Sequence, residues 1–344
     1  MDKINILFVG PLDEGSTSKQ RLETFKLLGH HVQAVNTFFS TKNWILSFLR
    51  RVSFRLGFCL DLIDVNNQIS VKIHTNDFDL VWIEKGLSIK PDTLRKIKHI
   101  LPSAYLVSYF IDDMLIRGNQ SRNYLKSIPL YDVHLTTKSY NVKELKALGA
   151  RDVKFFSNAY DSIAYQPLEL SNAEKKLWGS DVAFLGGFQK ARFESMLALA
   201  KRGVIITIWG PNWEPYVNIH PNLIIKPGWV LAENAAKVFC STKINLCFLH
   251  KLARDLQTTR TMEIPACGAF MLAERTQEHQ DLFTEGSEAE FFEDVEELLD
   301  KIKYYLGHCE QRTAIANAGY QRCLKSGYSY NNRLIEILNT LGYQ

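Results

Sequence analysis

The 344 residues exceed what a single hydrophobic core usually organises, so two domains are expected. A hydrophobic share of 46% excludes a disordered chain. A net charge of +4 with a sequence pI of about 8.6 suits an anionic ligand or a membrane surface and is too weak for a nucleic-acid binder. Cys59, Cys240, Cys247, Cys267, Cys309 and Cys323 form no Cys-x-x-Cys pair and have no histidine at zinc spacing, so reduced, mostly buried thiols are expected. Met1-Asp2-Lys3 leads directly into a strand without a signal-peptide pattern. No apolar run approaches the roughly 18 residues that span a bilayer. Together these predict a cytoplasmic protein.

In chain order, Ile4 to Gly10 is an apolar run ending at glycine. Pro11 to Ser18 follows as a loop, then a helix from Gln20 that stops at Gly29, then a strand from His31. This strand, glycine loop, helix and strand open a doubly wound α/β domain. The loop residues Gly10, Gly15 and Ser16 match neither a Walker A motif nor Gly-x-Gly-x-x-Gly, so the glycines serve either a tight turn or close approach of a ligand. Lys42 to Leu60 places Trp44, Ile45, Phe48, Leu49, Val52 and Leu56 at helical spacing among Lys42, Arg50, Arg51 and Arg55. A core helix with a solvated basic face is the plainer reading, and a helix lying on an anionic membrane is the other. Strands at Phe78–Glu84 and Ala104–Ile111 follow, the second ending in Asp112-Asp113. Acids beyond a strand's carboxyl end serve as a general base, accept from sugar hydroxyls, or cap a turn. A strand from Val133, a helix ending at Gly149 and a strand at Val153 complete residues 1–157 as one domain.

Residues 158–171 read as a linker, and the strand–helix pattern restarts for a second domain over 172–325. A strand from Asp181 ends in Gly186-Gly187 and leads into a helix with Lys190 and Arg192 at its start. Strands from Val204, Leu223 and Ile244 follow, the second closing on Trp229-Val230. Then comes Asp255-Leu-Gln-Thr-Thr-Arg-Thr-Met-Glu263, a polar turn opening a short helix that Gly268 breaks, and an apolar strand, Ala269 to Ala273. Free N–H groups at a helix start suit a phosphate, and flanking carboxylates suit sugar hydroxyls; a capped helix with two solvated acids is the alternative. Residues 326–344 form a helical tail that could pack back on the first domain.

Thr258-Thr-Arg-Thr-Met-Glu263-Ile-Pro-Ala-Cys-Gly-Ala-Phe-Met-Leu, with Glu278-His279, Glu285-Gly286, the Asp294-Val-Glu-Glu segment and Arg312-x-x-Ile-Ala-x-x-Gly319, resembles group 1 glycosyltransferases of the GT-B fold, in the spore-maturation-protein-like subgroup. The resemblance extends to Phe110-Ile-Asp-Asp113, Gly186-Gly with Arg192, and Trp209-Gly210. It implies two Rossmann-like domains facing across a cleft, an N-terminal acceptor domain and a C-terminal donor domain. It also implies an enzyme moving a sugar from a UDP- or GDP-type donor to a glycan, lipid-linked or protein acceptor, with retention and with neither metal nor cofactor.

By the same resemblance, Asp255 stands where the family's first Glu-x7-Glu acid meets the donor sugar, and Glu263 where the second holds ribose hydroxyls. Thr258, Thr259 and Arg260 form the phosphate loop, with Arg260 replacing a usual apolar residue. Gly187, Arg192 and Lys190 lie at the donor diphosphate, and Trp229-Val230 at the base. Asp112, Asp113 and Asp255 are the candidate catalytic acids. An epimerase or hydrolase acting on the same donor, or a non-catalytic sugar-nucleotide-binding module, is the alternative.

Overall fold

The computed structural model describes residues 2–343. They divide into two units, residues 2–157 with 334–343, and Asn158–Arg333. Residues 158–171 therefore belong to the second unit, where Tyr160 N–H donates to Tyr328 O and Tyr165 packs beside Phe239.

The first unit is an all-parallel sheet of six strands, β1 (Asn5–Gly10), β2 (His31–Asn36), β3 (Leu80–Glu84), β4 (Tyr105–Phe110), β5 (Val133–Thr136) and β6 (Val153–Phe155). Their spatial order is β2-β1-β3-β4-β5-β6, with Ile6 opposite both Val32 and Leu80. The helices are α1 (Thr17–Leu27), α2 (Trp44–Arg55), α3 (Val65–Thr75), α4 (Pro91–Ile100), α5 (Arg122–Ser127) and α6 (Asn141–Ala147). Alternate residues of each strand face opposite sides, so the sheet has two cores. Leu7, Val9, Val81 and Ile83 meet Ile69 of α3 and Ile97 of α4. Ile6, Phe8 and Trp82 meet Phe25 of α1 together with Leu334, Ile337 and Leu338 of the tail. Both faces being covered explains the unbroken apolar strands.

Besides the short α5, which the sequence reading lacks, two features of this unit differ from that reading. Helix α3 begins with polar Asn66-Asn67, and its start is held by Asp61, whose carboxylate accepts from Val65 N–H at 2.7 Å and Asn66 N–H at 3.0 Å. The larger difference is α2, none of whose residues is buried, which overturns the core-helix reading.

The second unit is also six parallel strands: β7 (Ser180–Leu185), β8 (Ile206–Gly210), β9 (Leu223–Pro227), β10 (Thr242–Cys247), β11 (Met271–Glu274) and β12 (Glu290–Phe292). The order is β9-β8-β7-β10-β11-β12. Counted from β7 this is 3-2-1-4-5-6, the Rossmann order. Helices α7 (Asn172–Trp178), α8 (Lys190–Lys201), α9 (Ala232–Ser241), α10 (Thr259–Ala266), α11 (Gln277–Leu282), α12 (Val295–Gly307) and α13 (Cys309–Lys325) connect and cover the strands. The last helix, α14 (Tyr330–Thr340), starts in this unit and ends in the first.

Candidate functional site

In the second unit the chain winds outward from β7 in one direction and restarts at β10 in the other. A sheet of this kind leaves a crevice beyond the carboxyl ends of the two strands where the winding reverses. Those ends are Gly186-Gly187 after β7 and Phe248 to Gln257 after β10.

The paired glycines do different work. A Cβ on Gly186 would lie 2.7 Å from the Phe184 ring, and one on Gly210 would lie 2.1 Å from Gly186 O, so both glycines are required by close packing. At Gly187 the nearest atom is Pro211 Cγ at 3.7 Å, which leaves the backbone open to approach. Helix α8 starts three residues later with no side-chain cap; its first internal bond is Phe193 N–H to Gln189 O. The N–H groups of Lys190 and Ala191 therefore remain available at the positive end of the helix dipole.

Arg192 links the two strand ends. Its Nε donates to Leu249 O at 3.3 Å, and its terminal nitrogens donate to Phe248 O at 3.1 Å and Gly187 O at 3.4 Å. Three of the five guanidinium N–H groups are thus engaged in orienting it, and the fork keeps donors for an oxyanion. Burial lowers the Arg192 pKa from its ordinary value, while Cys247, Asp255 and Glu274 oppose that shift. Asp255 is thereby placed within electrostatic reach of Arg192, and Lys190 is on the surface beside Glu194 at 3.7 Å.

Helix α10 begins at the carboxyl end of the same sheet. Thr258 caps it, accepting from Arg260 N–H, and Thr258 N–H donates to Thr261 Oγ1 at 3.1 Å in a reciprocal box. Behind the cap, Thr261 Oγ1 lies 2.9 Å from His279 Nε2, and His279 Nδ1 lies 2.6 Å from Glu274 O. The Glu274 carbonyl fixes the proton on Nδ1, so Nε2 accepts from the Thr261 hydroxyl. Burial pushes the His279 pKa down to about 4, which keeps the ring neutral for this relay. Gln257, also buried, accepts from Asn158 N–H at 2.9 Å and donates to Glu278 at 2.8 Å. The loop ahead of α10 is therefore held from beneath on both sides. Gly268, at φ +66°, ends the helix.

Glu263 is buried on the first full turn of α10, and Arg260 one turn back closes onto its carboxylate. Arg260 Nε also donates to Leu185 O at 3.4 Å, at the end of β7. Burial works against the Arg260 charge, but Glu263 and Tyr165 outweigh it and raise the pKa. Arg260 is thus the partner of Glu263, a contact the sequence spacing i, i+3 permits but did not suggest. Thr259 is half-buried at the helix start. Trp229 stands 81% exposed after β9, and Val230 packs partly against the core below it. The structure therefore groups Gly187, Arg192, Asp255, Thr258, Thr259, Arg260 and Glu263 around the β7 and β10 ends, with Lys190 and Trp229 toward solvent.

In the first unit the winding reverses between β1 and β3. Gly10 is packed there, because a Cβ would sit 2.6 Å from Ser18 Oγ. Ser16 is occupied as the cap of α1, accepting from Lys19 N–H at 3.2 Å, and Gly15 turns at φ +76°. Under them lies a pair absent from the sequence reading: Arg21 donates to both oxygens of Glu84 at 2.7 and 2.6 Å, and Trp82 Nε1 donates to the same carboxylate at 3.0 Å. Asp112 is partly exposed and pairs with Lys85 at 2.7 Å. Asp113 is fully buried and accepts from Leu115 N–H and Asn141 Nδ2, so it holds the turn. A cavity of about 380 Å³ opens beside this edge, lined by Pro11, Thr37, Arg50, Glu84, Lys85 and Gly86 among others.

Comparison with known proteins adds a partial family match and a fold. Residues 191–339 match the sequence profile of a family described as glycosyl transferase-like. No curated protein matches the chain. Among solved structures, the Anabaena HepE protein in complex with UDP-glucose is 13% identical with a TM-score of 0.63, over 98% of this chain and 100% of that one. The sucrose-phosphate synthase of Thermosynechococcus elongatus is 11% identical with a TM-score of 0.68, over 98% and 99%. A glycosyltransferase from Rickettsia africae is 13% identical with a TM-score of 0.63, over 99% and 98%. With two parallel six-stranded Rossmann-like sheets matched along nearly its whole length, the chain has the GT-B fold, and residues 191–339 are similar to the glycosyl transferase-like family.

Proposed function

We propose that the protein is a metal-independent glycosyltransferase that takes a sugar from a UDP- or GDP-type donor bound at the β7 and β10 ends. The observation that carries this reading is Arg192, oriented by three backbone carbonyls beside the uncapped start of α8. Cleaving a glycosyl–phosphate bond builds negative charge on the leaving diphosphate. A fixed guanidinium and a helix dipole worth about half a charge stabilise that charge with little reorganisation. Gly187 admits the phosphates close to the backbone. Asp255 meets the donor sugar, Glu263 accepts from the ribose hydroxyls, and Trp229 offers a face to the base. Arg260 holds the buried Glu263 side chain in place until the donor arrives. Asp112 is the accessible member of the Asp112–Asp113 pair and is assigned to the acceptor, which is a glycan, a lipid-linked sugar or a protein side chain. The motif from Thr258 to Leu272 supports placement with the spore-maturation-protein-like transferases, and a retaining outcome goes with it.

A screen of UDP-, GDP-, dTDP- and CMP-sugars by melting-temperature shift tests the reading. One donor class should raise the melting temperature, because ligand at about 100 times Kd stabilises by roughly 2.7 kcal/mol. Incubation of that donor alone should release little free sugar, whereas a hydrolase or epimerase would consume it. No shift with any sugar nucleotide would contradict the proposal.

A further inference from the structure

Helix α2 is amphipathic in the reverse sense for a soluble domain. Trp44, Phe48 and Val52 follow one another at i, i+4 and i+8, flanked on the same side by Ile45, Leu49 and Leu56, and these six are 38 to 75% exposed. The opposite face carries Ser47 and Arg50, which line the cavity at the sheet edge, and Arg50 is anchored to Phe39 O at 3.1 Å. The apolar stripe therefore points outward, while the side toward the cavity carries Ser47 and Arg50 together with the half-buried Phe54. A contiguous exposed apolar stripe of this kind marks an interaction surface.

Charge selects the partner. Lys42 to Leu60 holds four Lys or Arg and no acid. The segment 114–126, which meets the end of α2 through Arg122 N–H to Gly57 O at 2.7 Å and Arg122 over the Phe58 ring at 4.4 Å, adds three basic residues and again no acid. A local charge of +7 exceeds the +4 of the whole chain, so the rest of the molecule is net acidic. Arg51 and Arg55 border the apolar stripe, and an aromatic-rich apolar face edged by arginine is the pattern of a helix lying at the acyl–headgroup boundary of an anionic bilayer. No helix among the described residues is long and apolar enough to cross a membrane.

We propose that α2 and the adjoining segment 114–126 dock the first unit onto an anionic lipid surface. The cavity on the inner side of α2 then opens beside the membrane, which selects a lipid-borne acceptor. That acceptor class rests on the transferase reading; the docking does not.

Co-sedimentation of the full chain with phosphatidylcholine vesicles, with and without phosphatidylglycerol, tests it. The wild type should pellet only with the anionic vesicles and be released at high salt. Trp44→Ser/Phe48→Ser and Arg51→Glu/Arg55→Glu should each lower the bound fraction about tenfold at unchanged melting temperature, since the altered side chains are exposed. Wild type left in the supernatant with both vesicles would overturn the docking. So would a wild-type dimer in vesicle-free solution that Trp44→Ser/Phe48→Ser renders monomeric, because the stripe would then be covered by a second copy. A melting-temperature response to UDP-sugar in the same preparations separates the two ideas: response without pelleting removes only the docking, and pelleting without response removes only the transferase.

Discussion

The two sheets share a construction and differ at the point where each reverses its winding. In the first unit the reversal falls between β1 and β3, and the charged groups at the floor of the crevice are tied to one another. A Cβ on Gly10 would collide with Ser18 and crowd Glu84, and the Glu84 carboxylate is consumed by Arg21 and Trp82. In the second unit the reversal falls between β7 and β10, and Arg192 there is tied to the backbone carbonyls of Phe248 and Leu249, while Arg260 is spent on the buried Glu263. An arginine that meets a buried carboxylate head-on is neutralised and becomes a structural peg. One that rests on carbonyls keeps its net charge and is aimed. The same residue type, at the winding reversal of each of two parallel sheets, is thus spent on a carboxylate in one and kept available in the other.

Breaking the peg should have the largest effect on stability. Arg21→Met leaves Glu84 buried and unpaired, which should cost about 3–5 kcal/mol in urea unfolding, while Arg21→Met/Glu84→Leu should recover most of it. A single variant as stable as wild type would show that the pair is dispensable. The aimed arginine should behave oppositely. Arg192→Ala is expected to lower sugar transfer about 10²–10³-fold with little change in the urea midpoint, and Arg192→Lys to restore only part, since an ammonium cannot reproduce the fork. Turnover near wild type in Arg192→Ala would remove it from the reaction.

A smaller effect should come from pH. His279 has its folded pKa depressed to about 4, against about 6.5 when unfolded. Below 6.5 the unfolded chain takes up a proton that the folded chain refuses, so stability is complete above that pH. It is lost as pH falls toward 4, by at most about 3 kcal/mol. Urea midpoints for wild type and His279→Gln across this range should show the variant losing less; parallel losses would mean the ring is not held neutral in the fold. Smallest is the cap of α10: Thr258→Ala should cost about 1 kcal/mol and Thr258→Ser far less, a difference absent if water replaces the cap equally well.

Much of this was legible in the sequence where period and punctuation coincide. The apolar runs ending in Gly10 and Gly186 announced strands, and Asp255 to Glu263 announced a polar turn into a helix. What was not legible depends on partners far apart in the chain. Arg21 and Glu84 are separated by 63 residues, and nothing local distinguishes either from a solvated charge. Glu278 and His279 stood out as part of a resemblance, but their work, holding Gln257 and Thr261 from below, needed the fold. Helix α3 was missed because its start is held by a carboxylate four residues ahead of Val65 rather than by an adjacent cap. Helix α2 shows the limit of periodicity: spacing reveals that one face is apolar but not which way it points.

The most direct test of the central claim is calorimetric titration of UDP, and then of the best sugar nucleotide, into wild type and Arg192→Ala. Binding at the β7 and β10 ends predicts at least a tenfold weaker affinity in the variant, since a charged hydrogen-bonding partner of the diphosphate is lost. Equal affinities would place the nucleotide elsewhere and contradict the account.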